Sequence, residues 1–134
     1  MINIKLFIII TLIMLIVDGI WLSSMSNFYQ STIKNIQGSG ISFRMPGAFV
    51  AYALIAIGIY YFVLKDEINK KNNHRAIIEK GFMFGLIGYG IFNGTNHAIL
   101  KNWDCRTSTV DTLWGSIMSP TVSILSYLVY NKLN

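Results

Sequence analysis

Charged residues are scarce in this chain of 134 residues, at 13% against 53% hydrophobic, whereas a soluble domain carries charge at about a quarter of its positions. That shortage excludes an ordinary soluble fold, and the length allows one domain. Cysteine is scarcer still. The single Cys105 excludes an intrachain disulfide framework and any cysteine-rich metal site. The lysine and hydroxyl of a phosphate-binding glycine loop are missing, as are the His-x-x-x-His and Glu-x-x-His spacings of a helical metal site and the potassium-filter signature. No metal and no cofactor is therefore expected, no catalytic residue is assigned, and an enzyme is the less favoured class. The net charge of +5 does not point to nucleic acid, because the basic residues flank apolar segments, where lipid headgroups and membrane topology account for them.

What remains is a set of long apolar runs. A helix needs about 20 apolar residues to cross a hydrocarbon core roughly 30 Å thick. The pattern predicts an all-α membrane protein with four transmembrane helices over about residues 6–25, 46–64, 81–100 and 110–130, packed as an antiparallel bundle. In the first run Asp18 and the following Trp21 are foreign to the apolar region of a cleaved signal peptide, so the run is expected to be retained. Residues 26–45 read as a polar connector: Gln37-Gly38-Ser39-Gly40 is too glycine-rich to continue a helix, and Pro46 suits the first turn of the next one. Tyr60 and Tyr61 look like an interfacial belt. Gly81, Gly85 and Gly88 fall within about 60° of one another on a helical wheel, a small-residue stripe suited to a neighbouring helix. Pro120 predicts a kink in the fourth crossing.

Counting Lys and Arg by side sets the orientation. Lys5, Lys65, Lys70, Lys71, Arg75, Lys80 and Lys132 share the side of the termini, while Lys34, Arg44, Lys101 and Arg106 lie opposite. Both termini are expected to be cytoplasmic, in the cell membrane. This places Asp18 roughly 4 Å, Asn93 about 5 Å and Asn96 about 9 Å beyond their helix midpoints toward the outside. Asp111 starts near the same surface, so the unusual polar groups gather in the outer half.

Polar groups inside a bilayer are costly and need partners. Asp18 could hold a proton or cation, with His97 as relay, or could be neutralised by Arg44 or hydrogen-bonded by Asn96. Asp111 reads best as the N-terminal cap of the fourth helix. Asp111, Thr112, Gly115, Ser116, Ser119, Ser123 and Ser126 occupy an arc of about 140°, a hydroxyl stripe that suits helix packing better than a water path. Val17-Asp18-Gly19-Ile20-Trp21 and Val110-Asp111-Thr112-Leu113-Trp114 share Val-Asp-x-aliphatic-Trp, and Trp21, Trp103 and Trp114 are expected to ring the outer interface.

Asp18-x-x-Trp21-Leu22, Tyr89 through Thr95-Asn96-x-Ala98, Trp103 and Asp111-x-x-Trp114-Gly115 together resemble a family of small bacterial integral membrane proteins catalogued as a domain of unknown function. The resemblance covers nearly the whole chain and implies a compact four-helix membrane domain without assigning an activity. Similar proteins often carry aspartate at the position of Asn93 and an apolar residue at that of His97.

The residues point first to a channel- or carrier-type protein, a homo-oligomer whose glycine or serine stripe makes the subunit contacts. Its site of Asp18, Asn93, Asn96, His97 and Asp111, flanked by Arg44, Ser116, Ser119, Trp21 and Trp114, would bind a proton, a cation or a small polar solute. The alternatives are an assembly protein in which the cluster is a structural clasp, and a lipid-binding protein or enzyme using His97 and Arg44 at a headgroup.

Overall fold

The computed structural model describes residues 2–134. It contains α1 (Ile4–Ser24), α2 (Ser26–Gln37), α3 (Met45–Gly58) continued by a π-helical segment (Ile59–Leu64), α4 (His74–Ile99) and α5 (Cys105–Lys132), with no strand among the described residues. Three helical stretches, Ile4–Ser24, Met45–Leu64 and Cys105–Lys132, are long and apolar enough to cross a membrane. The expected third crossing falls in α4, which is not among them. Glycines run through that helix and the amide-rich end Asn93–His97 dilutes its apolar character.

Three boundaries depart from the sequence reading, one of them the start of α4, at His74 and not near residue 81. Residues 26–45 are not all connector, because α2 occupies the first twelve of them. Phe28, Tyr29, Thr32, Ile33 and Ile36 recur at helical spacing, which gives this short helix one face to bury. Thr32 meets the Thr107 hydroxyl of α5 at 3.0 Å, and Gly38 at φ +77° ends the helix in the left-handed conformation open to glycine. α5 in turn starts earlier than residue 110, because Asp104 caps it by accepting from the Thr107 amide at 2.6 Å. Asp111 therefore lies inside the helix and is not its cap. Pro120 sits within α5, which continues through it to Lys132.

Packing is inverted relative to a soluble bundle. Asp18, Asn93, Ser116, Ser119, Ser123 and Ser126 are buried, while Ile16, Ile20, Phe49, Phe62, Ile87, Ile91 and Ile117 are exposed. Large apolar side chains outside and small polar ones at helix contacts are what a lipid solvent selects. The α4–α5 contact is close because Gly85 lies on the Gly115 carbonyl, and a Cβ at Gly81 would stand 2.6 Å from the Pro120 Cα. The glycine and serine stripes thus meet each other within one chain, which replaces the expectation that they serve contacts between copies. Gly88 is the exception, with open space where its Cβ would be.

At the end holding the termini, the Asn3 side chain caps α1 by accepting from the Leu6 amide, its own amide donates to Tyr60 Oη at 2.9 Å, and its Nδ2 donates to Tyr130 Oη at 2.6 Å. Tyr60 is consequently buried, not interfacial, whereas Tyr61 is exposed. The adjoining core, Leu6, Ile10, Met14, Ile59, Val63, Leu64, Ile77, Met118 and Val122, is sealed from solvent.

Beyond it, Glu67 accepts from Lys80 Nζ at 2.6 Å, Asn73 Nδ2 at 2.9 Å and Lys70 Nζ at 3.0 Å. The Lys80 bond, then those of Asn73 and Lys70, hold the carboxyl down at about 2 from its ordinary 4.5, against the opposing effect of its burial. A lowered folded pKa stabilises above the unfolded value, so this contribution is present above pH 4.5 and is lost as pH falls through about 2. With both lysine partners exposed to screening, it should be worth about 1–2 kcal/mol. Thermal melts across that range should show Glu67→Gln losing less stability on acidification than the wild type. Parallel acid profiles would refute the assignment.

Candidate functional site

The two carboxylates singled out by sequence lie at the other end, where α1 finishes and α3 and α5 begin. Asp18 is 7% exposed and accepts from two aromatic donors: Trp114 Nε1 at 2.9 Å on Oδ1, and the Tyr52 hydroxyl of α3 on Oδ2. Asp111, half-buried, accepts from Tyr29 Oη of α2 at 2.8 Å and from Asn93 Nδ2 of α4 at 2.7 Å. Every helix contributes a group to this network. Burial, with Asp111 beside it, pushes the Tyr29 phenol up, and a bond from Trp21 opposes this only in part. The phenol stays a neutral donor.

The two Val-Asp-x-aliphatic-Trp segments are cross-connected. Trp114 of the second donates to Asp18 of the first, and Trp21 of the first donates at 3.1 Å to the Tyr29 hydroxyl, which itself donates to Asp111 of the second. The indoles stack with centroids 4.4 Å apart and planes 2° from parallel. One turn of helix separates each Asp from its own Trp, so stacking the rings carries each N–H toward the other segment's carboxylate. Gly115 completes the arrangement, since a Cβ there would occupy the space of the Tyr89 ring.

No cation joins either carboxylate. Among the described residues the salt bridges are Lys70–Glu67, Lys80–Glu67 and Arg75–Glu79, all in the segment from 67 to 80. Asn93, 1% exposed, spends both amide hydrogens on Tyr89 O and Asp111 Oδ2, and its Oδ1 is buried without a partner. Two openings reach Asp111. One, of about 380 Å³, lies beneath α2 between Leu22, Ile33, Phe92 and Trp103; the other, of about 570 Å³, runs between α3 and α4 past Leu54, Ile55, Gly88 and Phe92.

A family profile spans this whole arrangement, matching residues 3–128. The chain belongs to the DUF2177 family of predicted membrane proteins. No curated protein and no solved structure matches it.

In this DUF2177 chain the site is narrower than the sequence reading at one edge and wider at another. Asp18, Trp21, Asn93, Asp111 and Trp114 are joined by the bonds and ring stack above. His97 is exposed and donates from Nδ1 to the Trp103 carbonyl at 2.8 Å, Asn96 makes no side-chain hydrogen bond among the described residues, and Arg44 is exposed and bonded to neither carboxylate. Neither the His97 relay nor the Arg44 neutralisation of Asp18 is formed. His97 shares a helical face with Asn93 but lies about 6 Å further along the axis, level with the α4–α5 loop. Ser116 is buried and bonds the Thr112 carbonyl of its own helix at 2.8 Å, and Ser119 faces Gly85 at the α4–α5 contact. The expected tryptophan ring is not formed either: Trp21 and Trp114 stack inside the network, and Trp103 is buried with its Nε1 on Ser108.

Tyr29 and Tyr52 join the site without being among the residues that the sequence pattern singles out. A phenol within an apolar segment does signal a need for a partner, which marks Tyr52. Tyr29 carried no such signal while its segment read as connector.

Proposed function

We propose that this protein is a carrier-type component of the cell membrane that binds a proton, a cation or a small polar solute at the Asp18–Asp111 network, in the outer half of an antiparallel bundle of α1, Met45–Leu64, α4 and α5. The antiparallel arrangement is supported by Asn3 reaching Tyr60 and Tyr130, and by Asp18 reaching Tyr52 and Trp114. Inclusion of α4 is supported by Phe82, Met83, Ile87 and Ile91, exposed along its length opposite the glycines that meet α5. Cytoplasmic termini follow from the excess of basic residues on their side.

One observation carries the functional reading: both carboxylates are held by neutral donors alone. An intramembrane carboxylate with no cation beside it is a place where a positively charged ligand can bind. The sealed core between the site and the termini supports alternating access over an open channel.

A structural clasp is the second reading, favoured because all four carboxylate oxygens already have donors. Flux assays on proteoliposomes separate the two. The carrier reading expects proton, alkali-cation or small-solute flux that Asp18→Asn and Asp111→Asn abolish. A wild type without such flux at any pH between about 5 and 8, a range that brackets physiological pH, would establish the clasp.

A further inference from the structure

The opening between α3 and α4 is built differently from the rest of the bundle. At its closed end α4 touches the α3–π helix tightly, with Phe84 filling the place where a Gly58 Cβ would stand. Toward Asp111 the two helices part, leaving the cavity of about 570 Å³ with Leu54 and Ile55 on one wall and Phe92 on the other. That volume falls in the range of pockets that hold small organic ligands. Gly88 lies on the cavity wall, and its hydrogen faces empty space. Gly81 and Gly85 are explained by contact with α5; Gly88 is explained by no contact at all. A larger residue there would narrow the cavity without touching the fold.

We infer that this groove admits a cationic amphiphile sideways from the membrane, its alkyl chain along Leu54, Ile55 and Phe92 and its ammonium group on Asp111. The inference rests on the reading of Asp111 as a carboxylate in need of a positive charge, and it adds the ligand class and the direction of entry. Charge complementarity selects the occupant. Asp111 is the one carboxylate among the described residues lining the groove, no Lys or Arg lines it, and its bonded partners are neutral, so an anionic headgroup would be repelled and a neutral one would gain little. Two donors leave a carboxylate with further acceptor sites for an ammonium. The walls are mostly apolar, and Leu54 and Phe92 on them are also exposed at the helix surface, so entry leads from lipid and not from water.

The test uses the full chain in phosphatidylcholine nanodiscs and compares dodecylamine, dodecanol and dodecanoate as probes, after subtraction of empty-disc partitioning. Wild type should prefer the amine over the alcohol by roughly tenfold or more. Asp111→Asn should bring the amine down to the level of the alcohol. Gly88→Leu should weaken both amine and alcohol, about tenfold, with the folded state intact by thermal melt. Equal binding of amine and alcohol by wild type, which would indicate an ordinary acyl chain in the groove, overturns the inference. So does an undiminished amine preference in Asp111→Asn, unchanged binding in Gly88→Leu, or a loss of oligomer mass in Gly88→Leu, which would assign the groove to a second copy. The flux assay fails independently: ion flux with no amine preference removes only the amphiphile, and amine binding without flux removes only the carrier.

Discussion

Gly85→Ala is expected to lower the melting temperature of the detergent-solubilised protein by roughly 10 °C, the consequence of about 3 kcal/mol of overpacking. The added methyl would land on the Gly115 carbonyl and stand 3.0 Å from the Ser119 Cβ. Neither neighbour can turn away as a flexible side chain can, so α4 and α5 must separate along their length. Gly115 cannot retreat freely, because Tyr89 lies across it. The same substitution three residues on should have the opposite sign. Gly88→Ala meets nothing within 4 Å and gains the usual helical advantage of alanine over glycine, about 1 kcal/mol. Static light scattering melts of the two variants decide the matter, and similar melting temperatures would show that the α4–α5 contact is looser than described.

Asp18→Leu should cost about 2–4 kcal/mol, because it strands two half-buried donors at once, the Tyr52 hydroxyl and the Trp114 indole N–H. Asp18→Asn should cost roughly half as much, since its amide oxygen still accepts from one of them while its NH₂ faces the other. The diagnostic is the triple variant Asp18→Leu, Tyr52→Phe, Trp114→Phe. Removing a donor together with its acceptor avoids the desolvation penalty that removing one alone incurs, so the triple should recover about 2 kcal/mol relative to Asp18→Leu. Chemical denaturation in mixed micelles measures all three. Additive losses in the triple would mean that the network is not a coupled unit.

The membrane class and most of the site were legible because a polar residue inside an apolar run is conspicuous. Asp18, Asn93 and Asp111 stood out for that reason, and the repeated Val-Asp-x-aliphatic-Trp marked Trp21 and Trp114 with them. What could not be read was which partner each group would find. His97 was drawn into the site by its nearness to Asn93 along the chain, yet a single helical turn carries it past the network to the Trp103 carbonyl. Arg44 was drawn in by charge alone, and it ends exposed at the start of α3. Tyr29 carries no signal in the sequence because α2 is short and runs directly into the glycine-rich turn that begins at Gly38.

By itself the sequence determined the solvent, the helices and the chemical inventory: too little charge for water, long apolar runs, and two aspartates that lipid would not leave unsatisfied. These follow from composition and period, which are properties of a chain read one residue at a time. The tertiary structure alone decided that the two indoles stack, that each is routed to the other segment's aspartate, that no cation accompanies them, and that Gly88 faces a groove while Gly85 faces a helix. Helical period fixes the face a side chain occupies, but which helix lies opposite that face, and at what height, is set only when all the helices pack together.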